Sequence, residues 1–163
     1  KPGKRGRGAE GKALVVVMVE LKQGKIARIR LRRVPDASGP SLENAIKDGV
    51  EPGSTVQTDV WPGYDGLFKL GYEHEIIRKD AIVGKNVLPK VNKVVSLIKR
   101  WLLGAYQGRV EPSHLDYYLD EYTFRFNRRT SRSRGKLFYR LVQQAAAIKP
   151  VLGRDIHGRV KTS

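Results

Sequence analysis

Three polar residues recur on one side of an otherwise apolar helical stretch, residues 92–108. Asn92, Ser96 and Lys99 are spaced by four and then three residues, so at 3.6 residues per turn they form one file on the helix surface. An amide, a hydroxyl and an amine in one file could bind a phosphate or a metal, and the same pattern is typical of a solvated helix face. The other side predicts burial against a core, through Val91, Val94, Val95, Ile98 and Leu102.

Asp59 lies at the end of a predicted strand. Residues 54–64 (Ser-Thr-Val-Gln-Thr-Asp-Val-Trp-Pro-Gly-Tyr) predict a short strand that Pro62 and Gly63 stop just beyond the aspartate. A strand-borne acid followed downstream by a helix with an oxygen ligand is typical of metal-dependent phosphoryl-transfer sites, where rigid backbone must hold a hard cation. Asp59 and Asn92 are therefore predicted to form one metal site.

Hydrophobic periodicity predicts the elements that position these residues. A continuous apolar run at 13–21 predicts a strand buried on both faces, and residues 26–34 alternate apolar side chains with arginines, which predicts a hairpin with one cationic face. Strands followed by helices favour an α/β fold with the sheet covered by the later helices. The remaining predictions are a helix at 41–50 capped by Ser41, a short helix at 64–70, a strand at 72–77, a helix from Pro112, and a last helix over Leu137, Phe138, Leu141, Val142, Ala145 and Ile148 that ends at Pro150.

Composition predicts a polyanionic partner. The chain has 163 residues with 32 Lys and Arg against 16 acids, a net charge of +16. No apolar run reaches the roughly 18 residues of a membrane span, and the absence of Cys excludes disulfides and thiolate metal sites. The predicted organisation is a basic, flexible arm at 1–12, one domain at 13–150 and a tail at 151–163.

The order and spacing of several motifs resemble the bacterial insertion-sequence transposases of the ISXO-type group. The resemblance covers nearly all of residues 3–148. It is carried by Gly-Lys-Arg-Gly-Arg-Gly near the start, Thr58-Asp59-Val60-Trp61-Pro62-Gly63-Tyr64, Asn92 with Lys99-Arg100-Trp101-Leu102-Leu103-Gly104, His114-Leu115, Tyr118-Leu119-Asp120-Glu121 and Phe124-Arg125-Phe126-Asn127-Arg128-Arg129.

The resemblance implies an RNase H-like catalytic domain, with a mixed central sheet covered by helices and C-terminal helices, that cleaves and joins DNA with two divalent metals, Mg²⁺ or Mn²⁺. Asp59 matches the second aspartate of the family motif, Asn92 its third residue and Lys99 the lysine seven positions on. The first aspartate, which the family carries on its opening strand, has no match, because Asp36 and Asp48 lie in the wrong place. The chain is therefore expected to be an N-terminally truncated, inactive piece of an active transposase.

The resemblance also implies roles and partners. Asp59 and Asn92 would bind metal, and Lys99 would hold a DNA phosphate. The partners would be the transposon ends and the target DNA, which a homodimer would bind. The protein would be located in the bacterial cytoplasm, in association with the nucleoid. The side chains expected to contact DNA are Lys4, Arg5, Arg7, Lys93, Arg100, Arg128, Arg129, Arg132 and Arg134.

Two other functions fit the same residues. One is a DNA-binding protein without catalysis, either a decayed remnant or a domesticated transposase. The other is a basic RNA-binding protein, which the charge alone would permit, although RNA readers usually display aromatic side chains where residues 26–34 carry arginines. Glu121 is expected either to assist metal binding or to form a surface ion pair, and His74, His114 and His157 to serve structure or surface.

Overall fold

The computed structural model describes residues 12–78, 87–107 and 110–149, with backbone alone at Pro112 and Arg134. The chain divides into two compact units, Lys1–Val110 (unit 1) and Glu111–Ser163 (unit 2). The predicted arm, apart from Lys12, lies outside the described residues, as do its expected DNA contacts Lys4, Arg5 and Arg7 and the predicted tail at 151–163. The extent of a single domain at 13–150 stays a prediction.

A β-hairpin opens unit 1. Strands β1 (Leu14–Lys22) and β2 (Lys25–Val34) pair antiparallel with Val17 opposite Leu31, as the sequence pattern predicted. Ile29 and Leu31 are buried, whereas Arg28, Arg30 and Arg32 are exposed, which confirms the alternation. The expectation that β1 is buried on both faces was wrong: most of its side chains are half-buried or exposed, because among the described strands it pairs with β2 alone.

Helix α1 (Gly39–Lys47) begins two residues before the predicted start. Pro40 occupies the first turn, where its missing N–H costs nothing. Ser41 is therefore not the cap; Ser38 holds that position, and its backbone N–H donates to Asp36 Oδ1 at 2.9 Å. The hydrogen bond from the Ser38 side chain holds the pKa of Asp36 below its ordinary value. Asp36 thus shapes the turn into α1.

Strands β3 (Thr55–Thr58) and β4 (Glu73–Ile76) form a parallel pair. Their register is reinforced on the exposed face, where Thr55 Oγ1 donates to Glu73 at 2.8 Å and Gln57 Nε2 to Glu75 at 2.9 Å. Two short 3₁₀-helices, Pro62–Tyr64 and Leu67–Leu70, stand where one helix at 64–70 was predicted.

Three longer helices follow, as predicted: α2 (Pro89–Tyr106), α3 (Leu115–Asn127) and α4 (Arg134–Ala147). Helix α2 packs on β1 and buries Val94 and Ile98. Helix α3 buries the predicted residues Leu115, Leu119 and Tyr122, and burial raises the pKa of Tyr122.

Taken together, the described elements form a mixed α/β structure with two separate two-stranded sheets, β1–β2 and β3–β4. The single mixed sheet of an RNase H-like fold stays a prediction. Within the described ranges no helix is long and apolar enough to cross a membrane.

Candidate active site

Asp59 is the first residue after β3 and is half-buried. It follows Thr58, whose backbone carbonyl accepts from Ile77 N at 2.9 Å and so extends the pairing of the two strands to the position before the aspartate. The sequence prediction of an acid at the end of a short strand is confirmed. The backbone that leads into Asp59 is therefore fixed by strand pairing, as a metal ligand or a catalytic acid requires.

A threonine–histidine pair lies directly beside Asp59. Thr58 is 5% exposed, and its hydroxyl donates to the Asp59 carbonyl at 2.8 Å while lying 2.7 Å from His74 Nε2. A hydroxyl has one proton, and because Thr58 donates it to the Asp59 carbonyl, the pair needs the His74 tautomer that carries its hydrogen on Nε2. Because Val56 is opposite His74 in the parallel register, Thr58 and His74 share one face of the sheet. The pair ties β4 to the backbone of Asp59.

We expect Thr58→Val to lower the free energy of unfolding by about 1–3 kcal/mol, because it leaves the His74 donor and the Asp59 carbonyl without their partner in a partly buried place. Denaturant unfolding of unit 1, followed by tryptophan fluorescence, measures the change. Thr55→Val is the matched control: it removes a hydroxyl from the same strand at an exposed position and should stay within about 0.5 kcal/mol. Equal losses in the two variants would contradict the role given to Thr58.

The turn after Asp59 is anchored to α1. Trp61 N donates to Asp59 Oδ1 across a long 3.4 Å, and Trp61 Nε1 donates to the Ala37 carbonyl at 2.9 Å. Gly63 has no room for a side chain: a Cβ there would lie 2.7 Å from Leu42 Cδ1 and 2.8 Å from the Ala37 carbonyl oxygen. The carboxylate of Asp59 thus sits on a turn that packs against the hydrophobic core.

Asn92 and Lys99 are exposed on α2 in unit 1, the unit that also holds Asp59. At 100° per residue they lie on the side of the helix opposite the buried Val94, so the predicted polar file exists. The hydroxyl of Ser96, which lies between them, donates its proton to the Asn92 carbonyl at 2.9 Å. This hydrogen bond to the backbone is common for serine in helices. The convergence of Asp59 and Asn92 on one cation stays a prediction.

The described residues do not by themselves complete a metal site. Within them, no group of three His, Cys, Asp or Glu side chains lies close enough together to hold a metal ion. Asp59 offers a carboxylate oxygen and Asn92 a neutral amide oxygen, both suited to Mg²⁺, but a pair of metals needs more than one anionic ligand. The donor set that Asp59 and Asn92 provide is therefore partial.

The cationic residues after α3 have structural partners of their own. The guanidinium carbon of Arg128 lies 3.7 Å from the centre of the Phe124 ring, and that of Arg129 lies 4.1 Å from the Phe126 ring. Arg129 Nη1 also donates to the Phe126 carbonyl at 2.9 Å, which satisfies a carbonyl at the end of the helix. Arg132 is exposed. Contacts of these residues, and of Lys93, Arg100 and Arg134, with DNA stay predictions.

Glu121 and the histidines have identifiable contacts. Glu121 Oε1 lies 2.7 Å from Arg125 Nη2, an ion pair one helical turn apart, in line with the surface alternative for this residue. His114 packs near the Tyr117 ring, and His157 lies outside the described residues. His74 has a structural contact with Thr58, in line with the structural alternative expected for it. The sequence did not identify Thr58 as its partner, because the parallel pairing of β3 and β4 had not been predicted.

The family comparison decides what kind of protein carries this arrangement. A family model described as an ISXO2-like transposase domain matches residues 1–127. The chain belongs to this family. Proteins of the family are insertion-sequence transposases of the DDE type, and transposases act on DNA; the resemblance seen in the motifs is thus confirmed. A search of curated proteins finds no match to the chain.

The matched residues include the three predicted catalytic residues of this transposase domain. Asp59, Asn92 and Lys99 lie within the match, and so does α3, whereas α4 lies beyond it. The Asp-Asp-Asn-Lys form of the family motif stays a prediction. Proteins of this family generally use divalent metals. The oxygens of Asp59 and Asn92 suit such a metal but form only part of a metal site.

Proposed function

We propose that the chain is the catalytic domain of a DNA transposase that cleaves insertion-sequence ends and transfers them to target DNA with a divalent metal. The observation that carries the proposal is the position of Asp59. This half-buried carboxylate stands at the end of β3, on backbone held by Thr58 and by the turn through Trp61, in a chain of the transposase family.

Asp59, Asn92 and Lys99 take distinct roles in this proposal. Asp59 is an anionic ligand for Mg²⁺ or Mn²⁺, and Asn92 a weaker, neutral ligand through its amide oxygen. Lys99, a compact cation two helical turns beyond Asn92, holds a DNA phosphate near them. A divalent metal held by Asp59 and Asn92 would supply Lewis-acid stabilisation of the charge that develops on the phosphodiester.

Two metals need a second carboxylate, and we propose that a further strand supplies it. A further strand that paired with β1 on one side and with β3 on the other would join the two described pairs into one mixed sheet of the RNase H-like kind. Such a strand would be the place for the first aspartate of the family motif.

A metal titration tests the proposal. The natural protein that contains this chain is incubated with labelled duplexes that carry its own insertion-sequence ends, and strand cleavage is followed as Mg²⁺ or Mn²⁺ is raised. Cleavage at the ends that EDTA abolishes is expected, and a duplex of scrambled sequence serves as the control. Absence of cleavage at every metal concentration would refute the catalytic proposal.

A DNA-binding remnant is the second candidate, and the partial donor set around Asp59 favours it. In that case Asp59→Ala leaves DNA affinity unchanged, and the same titration gives binding without cleavage.

For the catalytic domain we further propose the oligomeric state and location that the resemblance implies. It would act as a homodimer on DNA, associated with the nucleoid in the bacterial cytoplasm. A basic RNA-binding function would instead appear as a preference for RNA over the end duplex in the binding assay.

A further inference from the structure

A cationic cleft lies in unit 2. It measures about 490 Å³ and is lined by the residue just after α3 and by one face of α4. Three of the lining side chains are cations and two are amides. The polar and aromatic side chains that line it are Arg128, Lys136, Tyr139, Arg140, Gln143 and Gln144.

Helix α4 has two chemically different sides. Lys136, Arg140 and Gln143 recur at spacings of four and three residues and line the cleft, so they form one face of the helix. The apolar residues Phe138, Leu141 and Val142 lie on the opposite face and are exposed, Phe138 at 70%. Helix α4 therefore exposes a polar face and an apolar face, and the polar face is the one that lines the cleft.

The charge of this surface selects an anion. Residues 122–149 contain eight cations and no acid in the sequence, and no acid is among the described residues that line the cleft. Concave surfaces lined by a single sign of charge concentrate ligands of the opposite sign. The ligand is therefore expected to carry several negative charges.

Arg128 is oriented before any ligand arrives. Its guanidinium stacks on the Phe124 ring, with its carbon 3.7 Å from the ring centre, and Nη1 lies 3.5 Å from the Phe124 carbonyl. A planar guanidinium held in place loses little entropy when it binds, and its fork of N–H donors matches the oxygens of a phosphate. Arg128 is thus already oriented to bind a phosphate at the cleft.

The length and the other side chains of the cleft fit a nucleic-acid strand better than a single small anion. The face from Lys136 to Ala147 is about 16 Å long, at 1.5 Å per residue, and a strand of duplex DNA advances about 3.4 Å per nucleotide. Roughly five nucleotides therefore pass along it. Tyr139, 63% exposed, and the amides of Gln143 and Gln144 can contact sugar and base edges beside the phosphates.

We propose that this cleft is a second DNA-contact site, which holds the sugar-phosphate backbone independently of Asp59. It extends beyond the residues that match the transposase family model, since that match ends at 127. The inference rests on the proposed function only in taking DNA as the anion. Binding at the cleft requires neither a metal nor cleavage.

The test compares two charge-matched double variants of the whole chain. Binding of a fluorescein-labelled duplex is measured by anisotropy in EDTA between about 50 and 200 mM salt, where phosphate contacts show as a linear dependence of log affinity on log salt. Lys136→Gln with Arg140→Gln is expected to weaken binding about tenfold and to reduce the salt slope by about 2, since each phosphate contact contributes about 1. Glutamine retains helix propensity, and circular dichroism checks that α4 remains helical.

Lys25→Gln with Lys47→Gln removes the same charge from exposed positions in unit 1 and should leave the salt slope nearly unchanged. An equal loss in the two double variants would overturn the proposal, because net charge alone would then explain the binding. Co-sedimentation with anionic phospholipid vesicles that only the Lys136/Arg140 variant loses, with DNA affinity unchanged, would overturn it too and assign the basic amphipathic helix to a membrane surface.

The same measurements separate this proposal from the proposed function. Because EDTA removes metals, the binding assay is blind to catalysis. Loss of cleavage in an Asp59 variant that keeps its DNA affinity and salt slope would concern the catalytic site alone. A cleft variant with unchanged affinity and slope would refute the cleft and leave the catalytic proposal standing.

Discussion

Asp59→Asn in the natural protein is expected to reduce cleavage of insertion-sequence ends about a thousandfold, because a lost anionic metal ligand removes several kcal/mol of transition-state stabilisation. The amide has nearly the shape of the carboxylate and can still accept from Trp61 N. The fold should therefore persist, and the loss should appear in the cleavage rate at saturating DNA rather than in DNA affinity. Single-turnover cleavage with Mg²⁺ measures it.

Asp65→Asn is the matched control. Asp65 is an exposed carboxylate that follows the first 3₁₀-helix, six residues beyond Asp59 in the same unit, and its replacement removes the same charge. Cleavage by this variant should stay near that of the unchanged protein. If the Asp59 variant kept full activity, or if both variants lost the same amount, Asp59 would not be a metal ligand and the proposed site would be wrong.

The site was predictable from sequence where it depended on local pattern. A strand ending at Asp59 and a helix with Asn92 and Lys99 on its exposed side follow from β-branched residues, a Pro-Gly stop and helical periodicity. The Thr58–His74 pair was not predictable in this way. It exists because β3 and β4 run parallel in a particular register, and register is set by contacts between strands that are distant in sequence.

The fold divides along the same line. Strand β2 and helices α2 and α3 were predicted because their apolar residues repeat at the period of a strand or of a helix. The last helix shows the limit of that argument. Its apolar stripe is as regular as that of α2, yet Phe138 and Leu141 are exposed. Periodicity predicts that one face of a helix is apolar, but it does not predict that another element of the chain covers that face.

The 3₁₀-helix at Leu67–Leu70 supplies the prediction with the largest effect on stability. Leu67 is fully buried in a cluster with Ile46 and Tyr72, against which Val56 of β3 packs. Its neighbour Phe68 is 78% exposed. Both are large apolar residues, and a sequence pattern of four residues is too short to tell which of them faces inward.

We expect Leu67→Ala to lower the free energy of unfolding by about 2–5 kcal/mol, because it removes a fully buried side chain and leaves a cavity. Phe68→Ala should stay within about 0.5 kcal/mol, since its ring is exposed in the folded chain. Both tryptophans, Trp61 and Trp101, belong to unit 1, so denaturant unfolding followed by fluorescence reports on the unit that contains the substitutions. Because the Leu67 cluster supports the strand that ends at Asp59, the Leu67 variant should also lose cleavage activity at a lower temperature than the Phe68 variant. Equal stability of the two variants would mean that the burial of Leu67 does not hold β3 in place, and the rigid backbone inferred for Asp59 would lose its main support.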